Sequence, residues 1–531
     1  MSLVNVSRSM VASCVRAFEP IAILTLALTA ENGESGVHGA VTLWSMLNPA
    51  TTETLDHAVC ERARLARDPR FDGLFYTAVK TTGIYCRPIC PAPTPRTGNV
   101  TYFSTASAAA AAGFRPCLRC RPERAPGASV HRARSELVRG ALRLIDEGML
   151  DRSAMAALAA RVGVGERHLR RMFAEEMGAS PLDFAATRRL LFAKQLLSET
   201  TLPITSVASV AGYSSLRRFN AAFVDSYGKP PRTFRRAGSA AVTNVYLTLR
   251  LPYRAPYDFA AMLAFLARRS IPGVEAVSEY AYRRSIVIDG ESSWFEITAM
   301  ENDDALALRV PVVKPDAIAA LVARVRRQFD LDADPHAIAS AFSKDRLLSP
   351  LQQRWPGQRL PGAWDGFELA VRGVLGQQIS VVAARTLAGR LVERYGTAFE
   401  DSPDGLHALF PTAMALADAP LEQIGLPKAR AATLRGMAQA CVDGRVHFSA
   451  EQGLDSLVAS MVALPGIGPW TAHYVAMRAL SQPDAFPAGD LVLRKIAGGD
   501  APMSERALEV LSQSWRPWRA YAVMLLWRSA S

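Results

Sequence analysis

The sequence has no apolar run of membrane-spanning length, and it contains few cysteines. No stretch of its 531 residues reaches the ~18 uninterrupted apolar residues that a transmembrane helix needs. Seven cysteines in a chain of this length exclude a small secreted scaffold held together by disulfides. These absences predict a protein without a membrane anchor in a reducing compartment, which we expect to be the cytoplasm.

The longest hydrophobic segment, Ile21–Ala30, resembles the apolar region of a secretory signal. Glu19 and Pro20 directly precede it, and export would oxidise thiols that a later motif needs in reduced form. We therefore expect residues 1–50 to be an extension outside the fold, disordered or lying before the true start of the protein. A secretory signal is the alternative.

Length and composition indicate several globular domains with a polyanionic partner. At roughly 150 residues per domain, 531 residues predict three or four domains. A hydrophobic content of 49% with 21% charged residues is globular composition. Sixty-one Lys and Arg residues against forty-nine Asp and Glu residues give a net charge of +12, which favours a nucleic acid as partner.

Four of the seven cysteines form two close pairs, Cys86/Cys90 and Cys117/Cys120, with 26 residues between the pairs. This spacing is typical of a tetrahedral zinc site made of four thiolates, so we predict one bound Zn²⁺. Strands are predicted at residues 75–79 and 99–104, and an Ala-rich helix at Thr105–Gly113.

The segment FYTAVKTTGIYCRPIC…NVTYF…AAGFRPCLRCRPE resembles the amino-terminal domain of the Ada methylation-response family, over residues 51–126. The resemblance implies that Cys86 is both a zinc ligand and the acceptor of a methyl group from a DNA phosphotriester. Zinc holds a thiol as the nucleophilic thiolate at neutral pH, which suits that chemistry. A purely structural zinc is the alternative. Prolines follow Cys90 where the family is more basic, and five arginines remain available for phosphate contacts: Arg87, Arg96, Arg115, Arg119 and Arg121.

Residues 127–238 contain an internal repeat at an offset of fifty residues, in which Leu169 and Phe173 recur as Phe219 and Phe223. Each copy has a short apolar helix, a Gly turn and a basic helix, the layout of a helix-turn-helix. The pattern resembles the DNA-binding domain of AraC-type activators, which implies promoter DNA and RNA polymerase as partners. Solvated charged faces are the alternative. The arginines predicted to reach DNA are Arg167, Arg170, Arg171, Arg217 and Arg218.

The remaining chain divides into a small antiparallel α+β domain at 239–345 and an all-α domain at 346–531. Gly466 and Gly468 lie in a hydrophobic turn before a helix, typical of a helix-hairpin-helix whose backbone N–H groups bind a DNA phosphate. Asp490 follows Gly468 by 22 residues. Alone it would be interpreted as a helix-capping carboxylate. Its spacing from the hairpin resembles that of the helix-hairpin-helix DNA glycosylases, and this resemblance implies that it is a candidate catalytic residue.

Residues 243–528 resemble the AlkA-type 3-methyladenine DNA glycosylases. The resemblance implies that Asp490 faces the glycosidic bond of a flipped nucleotide and that an aromatic pocket and one amide lie beside it. The residues matched to the pocket and the amide are Trp470, Tyr474, Trp527 and Gln377. Trp470 stands where bifunctional glycosylases carry Lys, so lyase chemistry is not expected. Gln378 departs from the family, which has an apolar wedge there.

Together these modules predict a mainly α multidomain protein with α+β parts. It would be a monofunctional glycosylase acting on alkylated DNA, fused to an Ada-like, DNA-binding regulatory half. No PCHR motif occurs, so the guanine-repair methyltransferase domain of full-length Ada is not expected. The alternative function is an alkylation-responsive activator whose glycosylase domain is vestigial.

Overall fold

The computed structural model describes residues 56–127, 133, 135–235, 246–288, 290–311, 317–400, 403–449 and 451–530. These belong to one structural unit, Leu55–Ser531. The predicted amino-terminal extension lies outside the described residues. Within the described ranges, every helix is too short or too polar to span a membrane.

The cysteine-rich module is a four-stranded sheet flanked by two helices. The sheet has the order β3-β1-β2-β4, with antiparallel pairing except between β2 and β4. Thr105 caps the Ala-rich helix through its hydroxyl, which accepts from the backbone N–H of Ala108. The elements are α1 (His57–Ala66), β1 (Tyr76–Val79), β2 (Ile84–Cys86), β3 (Val100–Phe103), α2 (Ala106–Ala111) and β4 (Arg115–Pro116).

The following helical module contains both predicted helix-turn-helix units. Gly163 and Gly212 make the two turns with φ values of 79° and 82°, a left-handed conformation that favours glycine. Leu169, Phe173, Phe219 and Phe223 are fully buried, as the repeat predicts. The helices are α3 (Glu136–Asp146), α4 (Met149–Arg152), α5 (Met155–Arg161), α6 (Glu166–Met177), α7 (Pro181–Glu199), α8 (Ile204–Val210) and α9 (Leu216–Tyr227).

The α+β module is an antiparallel five-stranded sheet in the order β5-β9-β8-β7-β6, with one helix between its first two strands in the chain. The antiparallel α+β architecture agrees with the sequence prediction, although β6, with only three residues, is too short to predict from its pattern. The elements are β5 (Tyr246–Pro252), α10 (Phe259–Ala267), β6 (Glu275–Val277), β7 (Ala281–Ile288), β8 (Glu291–Ala299) and β9 (Ala305–Pro311).

The carboxy-terminal part is helical, as predicted, with one two-stranded ribbon. Its helices share a continuous hydrophobic core with the five-stranded sheet and the second helix-turn-helix unit. The elements are α11 (Ile318–Gln328), α12 (Pro335–Phe342), α13 (Leu348–Arg354), α14 (Gly366–Leu375), α15 (Val381–Tyr395), β10 (Thr397–Ala398), β11 (Ala408–Leu409), α16 (Ala413–Ala417), α17 (Lys428–Val442), α18 (Leu454–Val462), α19 (Pro469–Ala479), α20 (Leu491–Gly498), α21 (Glu505–Ser512) and α22 (Arg519–Ser529).

Candidate active site, zinc centre and DNA-binding surfaces

The Gly-rich turn between α18 and α19 is a hairpin whose two glycines have different structural roles. Gly466 has φ +83°, and a Cβ built there would lie 2.1 Å from the Thr433 hydroxyl. Gly468 precedes Pro469 as the N-cap of α19, and a Cβ there would meet open space. The first glycine is therefore required by packing, while the second leaves room for a ligand at a helix N-terminus.

Gln377 contacts this hairpin directly. Its side-chain amide donates to the Gly466 carbonyl at 3.1 Å and to the Thr471 hydroxyl at 3.0 Å, and the backbone carbonyl of Gln377 accepts from Arg430 at 2.7 Å. These contacts fix the loop between α14 and α15 against the hairpin. They give Gln377 a positioning role beside the substrate contact that the family resemblance implies.

Asp490 is both a helix cap and the acceptor of two aromatic N–H groups. Its Oδ1 accepts from the backbone N–H groups of Val492 and Leu493, both at 3.0 Å, at the start of α20. The indole of Trp470 donates to Oδ2 at 2.9 Å, and the indole of Trp527 donates to Oδ1 at 3.3 Å. Asp490 is only 9% exposed. Asp490 therefore does cap α20, but a capping role alone would not require the two indoles that α19 and α22 contribute.

The aromatic residues predicted to form a pocket lie together around this carboxylate. Trp470 and Tyr474 are parallel to within 2°, with ring centroids 5.5 Å apart, and Tyr474 lies 6.3 Å from Trp527. The i, i+4 spacing along α19 places the first two rings on one helix face. An aromatic wall that contains two parallel rings, beside an acidic group, suits a planar base of positive charge.

Two further residues near this wall, Arg478 and Arg269, were missed by sequence reasoning. Arg478, one helical turn beyond Tyr474, donates from Nη1 to the phenol oxygen at 2.7 Å. Burial by itself would raise the pKa of Tyr474, but the guanidinium groups of Arg478 and Arg269 lower the pKa below its usual value. Continuing the i, i+4 series from Trp470 to Tyr474 would have reached Arg478, whereas nothing local in the sequence indicates Arg269.

The four predicted zinc ligands converge. The sulfur atoms of Cys86, Cys90, Cys117 and Cys120 all lie within 4.8 Å of one another. Tetrahedral Zn–S bonds of about 2.3 Å require sulfur atoms about 3.8 Å apart, so the cluster fits one Zn²⁺. The four cysteines form a zinc site of the Ada type. Cys117 and Cys120 are buried, whereas Cys86 and Cys90 are partly exposed.

Two of the five arginines named near the cluster are committed to internal contacts. Arg87 donates to Asp72 at 2.8 Å and to the Cys120 carbonyl at 3.0 Å, which holds the zinc loop in place. Arg121 is paired with Glu123 at 3.0 Å. The expectation that these two side chains are available to DNA is therefore wrong. Three remain exposed: Arg96, Arg115 and Arg119.

The candidate DNA-reading arginines are all exposed, on α6 and α9. Arg170 is engaged by Glu166 at 2.8 Å, and Arg171 lies 4.0 Å from Glu175. Arg218 lies 3.4 Å from the Ser214 hydroxyl. The exposed ion pairs are weak, so DNA phosphates could displace them at little cost.

Comparison with known families divides the chain as the motifs do. Residues 59–123 match the metal binding domain of Ada, and residues 158–237 match a helix-turn-helix domain. Residues 248–365 match the AlkA N-terminal domain, and residues 371–520 match the HhH-GPD superfamily of base excision DNA repair proteins. The chain is also 41% identical to the probable bifunctional transcriptional activator/DNA repair enzyme AlkA of Mycobacterium tuberculosis, over 89% of this chain and 96% of that protein.

The chain belongs to the AlkA family of bifunctional transcriptional activator/DNA repair proteins. It joins a DNA glycosylase domain to a regulatory half made of an Ada-type zinc module and a helix-turn-helix module.

Each half of this AlkA-family chain has a separate relative. The carboxy-terminal half is 33% identical to DNA-3-methyladenine glycosylase 2 of Escherichia coli, over 52% of this chain and 95% of that protein. A third of this chain is 36% identical to the bifunctional transcriptional activator/DNA repair enzyme Ada of Escherichia coli, over 48% of that protein.

Proposed function

We propose that this AlkA-family chain removes alkylated purines, 3-methyladenine and related bases, from duplex DNA, with Asp490 as the catalytic carboxylate. The observation that carries this assignment is the convergence of four N–H groups on Asp490. Two come from the start of α20, and two come from Trp470 and Trp527, which line the pocket. A carboxylate fixed in this way is already oriented and needs no reorganisation during the reaction.

The proposed reaction is hydrolysis of the bond between the base nitrogen and C1′ of the sugar. The base must first leave the stack and lie against Trp470 and Tyr474. As the C1′–N bond breaks, its electron pair stays on the base and neutralises the positive charge there, and the sugar becomes an oxocarbenium cation. Asp490 stabilises that cation until a water oxygen bonds to C1′ and releases a proton, which leaves an abasic site.

Residue 470 carries no amine, so a Schiff base to the sugar cannot form there, and we assign no strand cleavage to the enzyme. Gly466 and Gly468 would hold the phosphate backbone beside the flipped nucleotide, with the loop of Gln377 supporting the hairpin.

The test is release of 3-methyladenine from methylated DNA by the purified full-length chain, compared with Asp490→Asn. The substitution keeps size and capping capacity but removes the charge, so excision should fall by roughly 10²–10³-fold while DNA affinity holds or rises slightly. Trp470→Lys is the companion variant, and little gain of strand cleavage is expected because the pocket wall is lost. Wild-type excision by the Asn variant would make Asp490 a structural cap only.

A second activity is proposed for Cys86, methyl transfer from a DNA phosphotriester. Cys86 and Cys90 border a cavity of about 470 Å³ that Arg67, Arg115 and Arg119 also line, so thiolate and phosphate-binding cations face the same space. The thiolate sulfur would attack the methyl carbon, and the bond from that carbon to the phosphate oxygen would break. The products are a thioether and a phosphodiester.

Incubation of the zinc-loaded chain with methylated DNA should therefore add one methyl group to the peptide containing Cys86. Methyl label confined to another cysteine would refute the assignment. Because transfer cancels one negative charge at the metal, the methylated protein should bind DNA more tightly, most clearly at low salt.

We further propose that promoter DNA binds to α6 and α9, that RNA polymerase is a further partner, and that the protein acts in the cytoplasm. A regulator with a vestigial glycosylase domain is the competing function. The excision assay separates the two functions, since a vestigial domain would bind DNA without releasing base.

A further inference from the structure

The pocket wall ends in two positive charges that the reaction described above does not use. From Asp490, a continuous series of contacts runs through the Trp470 indole at 2.9 Å, across the parallel rings of Trp470 and Tyr474, to Arg478 at 2.7 Å from the phenol oxygen. The anion thus lies at one end of the wall and a guanidinium at the other. Residues 470, 474 and 478 follow one face of α19.

Hydrogen bonds to backbone carbonyls hold Arg478 in place, and they leave its positive charge uncompensated. It is 5% exposed and donates to the carbonyl oxygens of Pro361 at 2.9 Å and Gly362 at 3.3 Å. Arg269 donates to the Phe265 carbonyl at 3.3 Å. Among the described residues, neither guanidinium forms an ion pair with a carboxylate.

An aromatic ring stabilises both cations instead. The guanidinium carbon of Arg269 lies 3.8 Å from the Phe265 ring centroid, and that of Arg478 lies 5.0 Å from the same centroid. Such contacts stabilise a cation without cancelling its field. Burial lowers the pKa of Arg269 to about 10, so this side chain keeps its charge at neutral pH.

We propose that Arg478 and Arg269 are positioning residues that set the substrate range of the base pocket. Acting through Tyr474, they help the site release damaged bases that carry no formal charge. This inference rests on the proposed glycosylase function.

Charge moves from the sugar bond onto the base when the C1′–N bond breaks. The electron pair moves onto the base, so an uncharged base becomes anionic as it leaves, and nearby guanidinium groups stabilise that anion. A cationic base only becomes neutral, so the same groups repel it when it is bound and cease to repel it in the transition state. The charges should thus raise kcat for both classes but raise kcat/KM only for uncharged bases.

The experiment measures kcat and KM of the full-length chain on two duplexes, one containing 7-methylguanine, which is cationic, and one containing hypoxanthine, which is uncharged. For Arg478→Gln we expect kcat/KM on hypoxanthine to fall about ten-fold or more. On 7-methylguanine, kcat and KM should fall together, leaving kcat/KM within about two-fold. Arg478→Lys should restore part of the hypoxanthine activity, because it restores the charge.

Arg359→Gln is the matched control. Arg359 is likewise buried, is bonded to the carbonyls of Ala333 and Pro256, and lies 5.0 Å from the centroid of a tyrosine ring, but that ring belongs to Tyr257. The Arg359→Gln substitution should lower thermal stability without changing the ratio of the kcat/KM values on the two substrates. If Arg478→Gln does not fold, Arg269→Gln tests the same field from the less buried side.

If Arg478→Gln lowered kcat/KM equally on both substrates, the inference would be overturned and the glycosylase function would stay intact. The same conclusion would follow from a wild-type enzyme that releases 7-methylguanine but no hypoxanthine. A wild-type enzyme that releases neither base, nor 3-methyladenine, would instead contradict the proposed function itself.

Discussion

Gln378 illustrates how much one exposed residue can contribute to a site that is otherwise built from buried groups. It lies beside Gln377, whose side chain binds the hairpin, and it is exposed. Its φ of +58° is left-handed, which costs a non-glycine residue roughly 1–2 kcal/mol. We propose that this exposed side chain enters the gap that a flipped base leaves.

Gln378→Gly separates the backbone from the side chain. Glycine relieves the left-handed strain, so the free energy of unfolding should rise by about 1 kcal/mol or stay level. Excision should nevertheless fall about ten-fold, because nothing would fill the gap in the duplex. Thermal unfolding and single-turnover release of 3-methyladenine measure the two effects, and unchanged excision would exclude a wedge role for Gln378.

Asp490 and Arg478 mark the limits of sequence reasoning at the residue scale. The distance of Asp490 from the hairpin indicated catalysis, and its helix-capping role could also be read locally. The indole contacts of Trp470 and Trp527 with its carboxylate depend on the packing of α19, α20 and α22. The carbonyls that hold Arg478 lie more than a hundred residues earlier in the chain. Local pattern cannot specify such partners.

At the scale of elements, the helix-hairpin-helix turn provides a matched pair of glycine substitutions. Gly466→Ala would place a methyl group against Thr433 at a positive φ, so it should lower both thermal stability and DNA affinity. Gly468→Ala meets open space, so stability should hold while DNA affinity falls, because the methyl would occupy the phosphate position. Equal DNA affinity of Gly468→Ala and wild type would place the phosphate elsewhere.

The paired basic helices α6 and α9 allow a salt-dependence test. Replacing Arg170 and Arg218 with Ala should weaken binding to duplex DNA and reduce the log–log salt slope by about one to two units, since each lost phosphate contact removes about 0.9. Glu166→Ala is the opposite control, because it frees Arg170 from its ion pair. Unchanged slopes would mean that these arginines are only solvated charges.

Helices and strands were the most predictable features because their signals are local. The fifty-residue repeat and the Gly turns indicated α6 and α9, and Thr105 marked the start of α2. Strand β6 was missed because three residues carry too little pattern. Arg87 was expected to face DNA, yet it binds Asp72 fifteen residues earlier, a pairing that the fold of the zinc loop creates.

At the scale of the whole molecule, the zinc module is bonded to both of its neighbours. Glu123, whose side chain is fully buried, accepts from Lys194 on α7 at 2.9 Å. The Gly127 carbonyl accepts from Arg254, just beyond β5, at 2.7 Å. Thr105 donates to the Met177 carbonyl, at the end of α6, at 3.0 Å. Unfolding of the zinc module should therefore also destabilise the neighbouring modules to which it is bonded.

Removing zinc with a chelator should unfold residues 56–127, because the four metal–sulfur bonds that join the two cysteine pairs are lost and the small core there cannot compensate. Lys194 would then lose its buried partner, which typically costs about 3–5 kcal/mol, so the helices around α7 should unfold at a lower temperature. Excision should persist at a temperature where those helices remain folded, because Asp490 and its indoles belong to other elements.

Lys194→Met is the control. This variant already lacks the ion pair with Glu123, so chelation should lower the unfolding temperature of the variant less than that of the wild type. Calorimetry with metal analysis and the excision assay measures these effects, and an identical decrease in both proteins would show that the Glu123–Lys194 pair does not couple the zinc module to the rest of the chain.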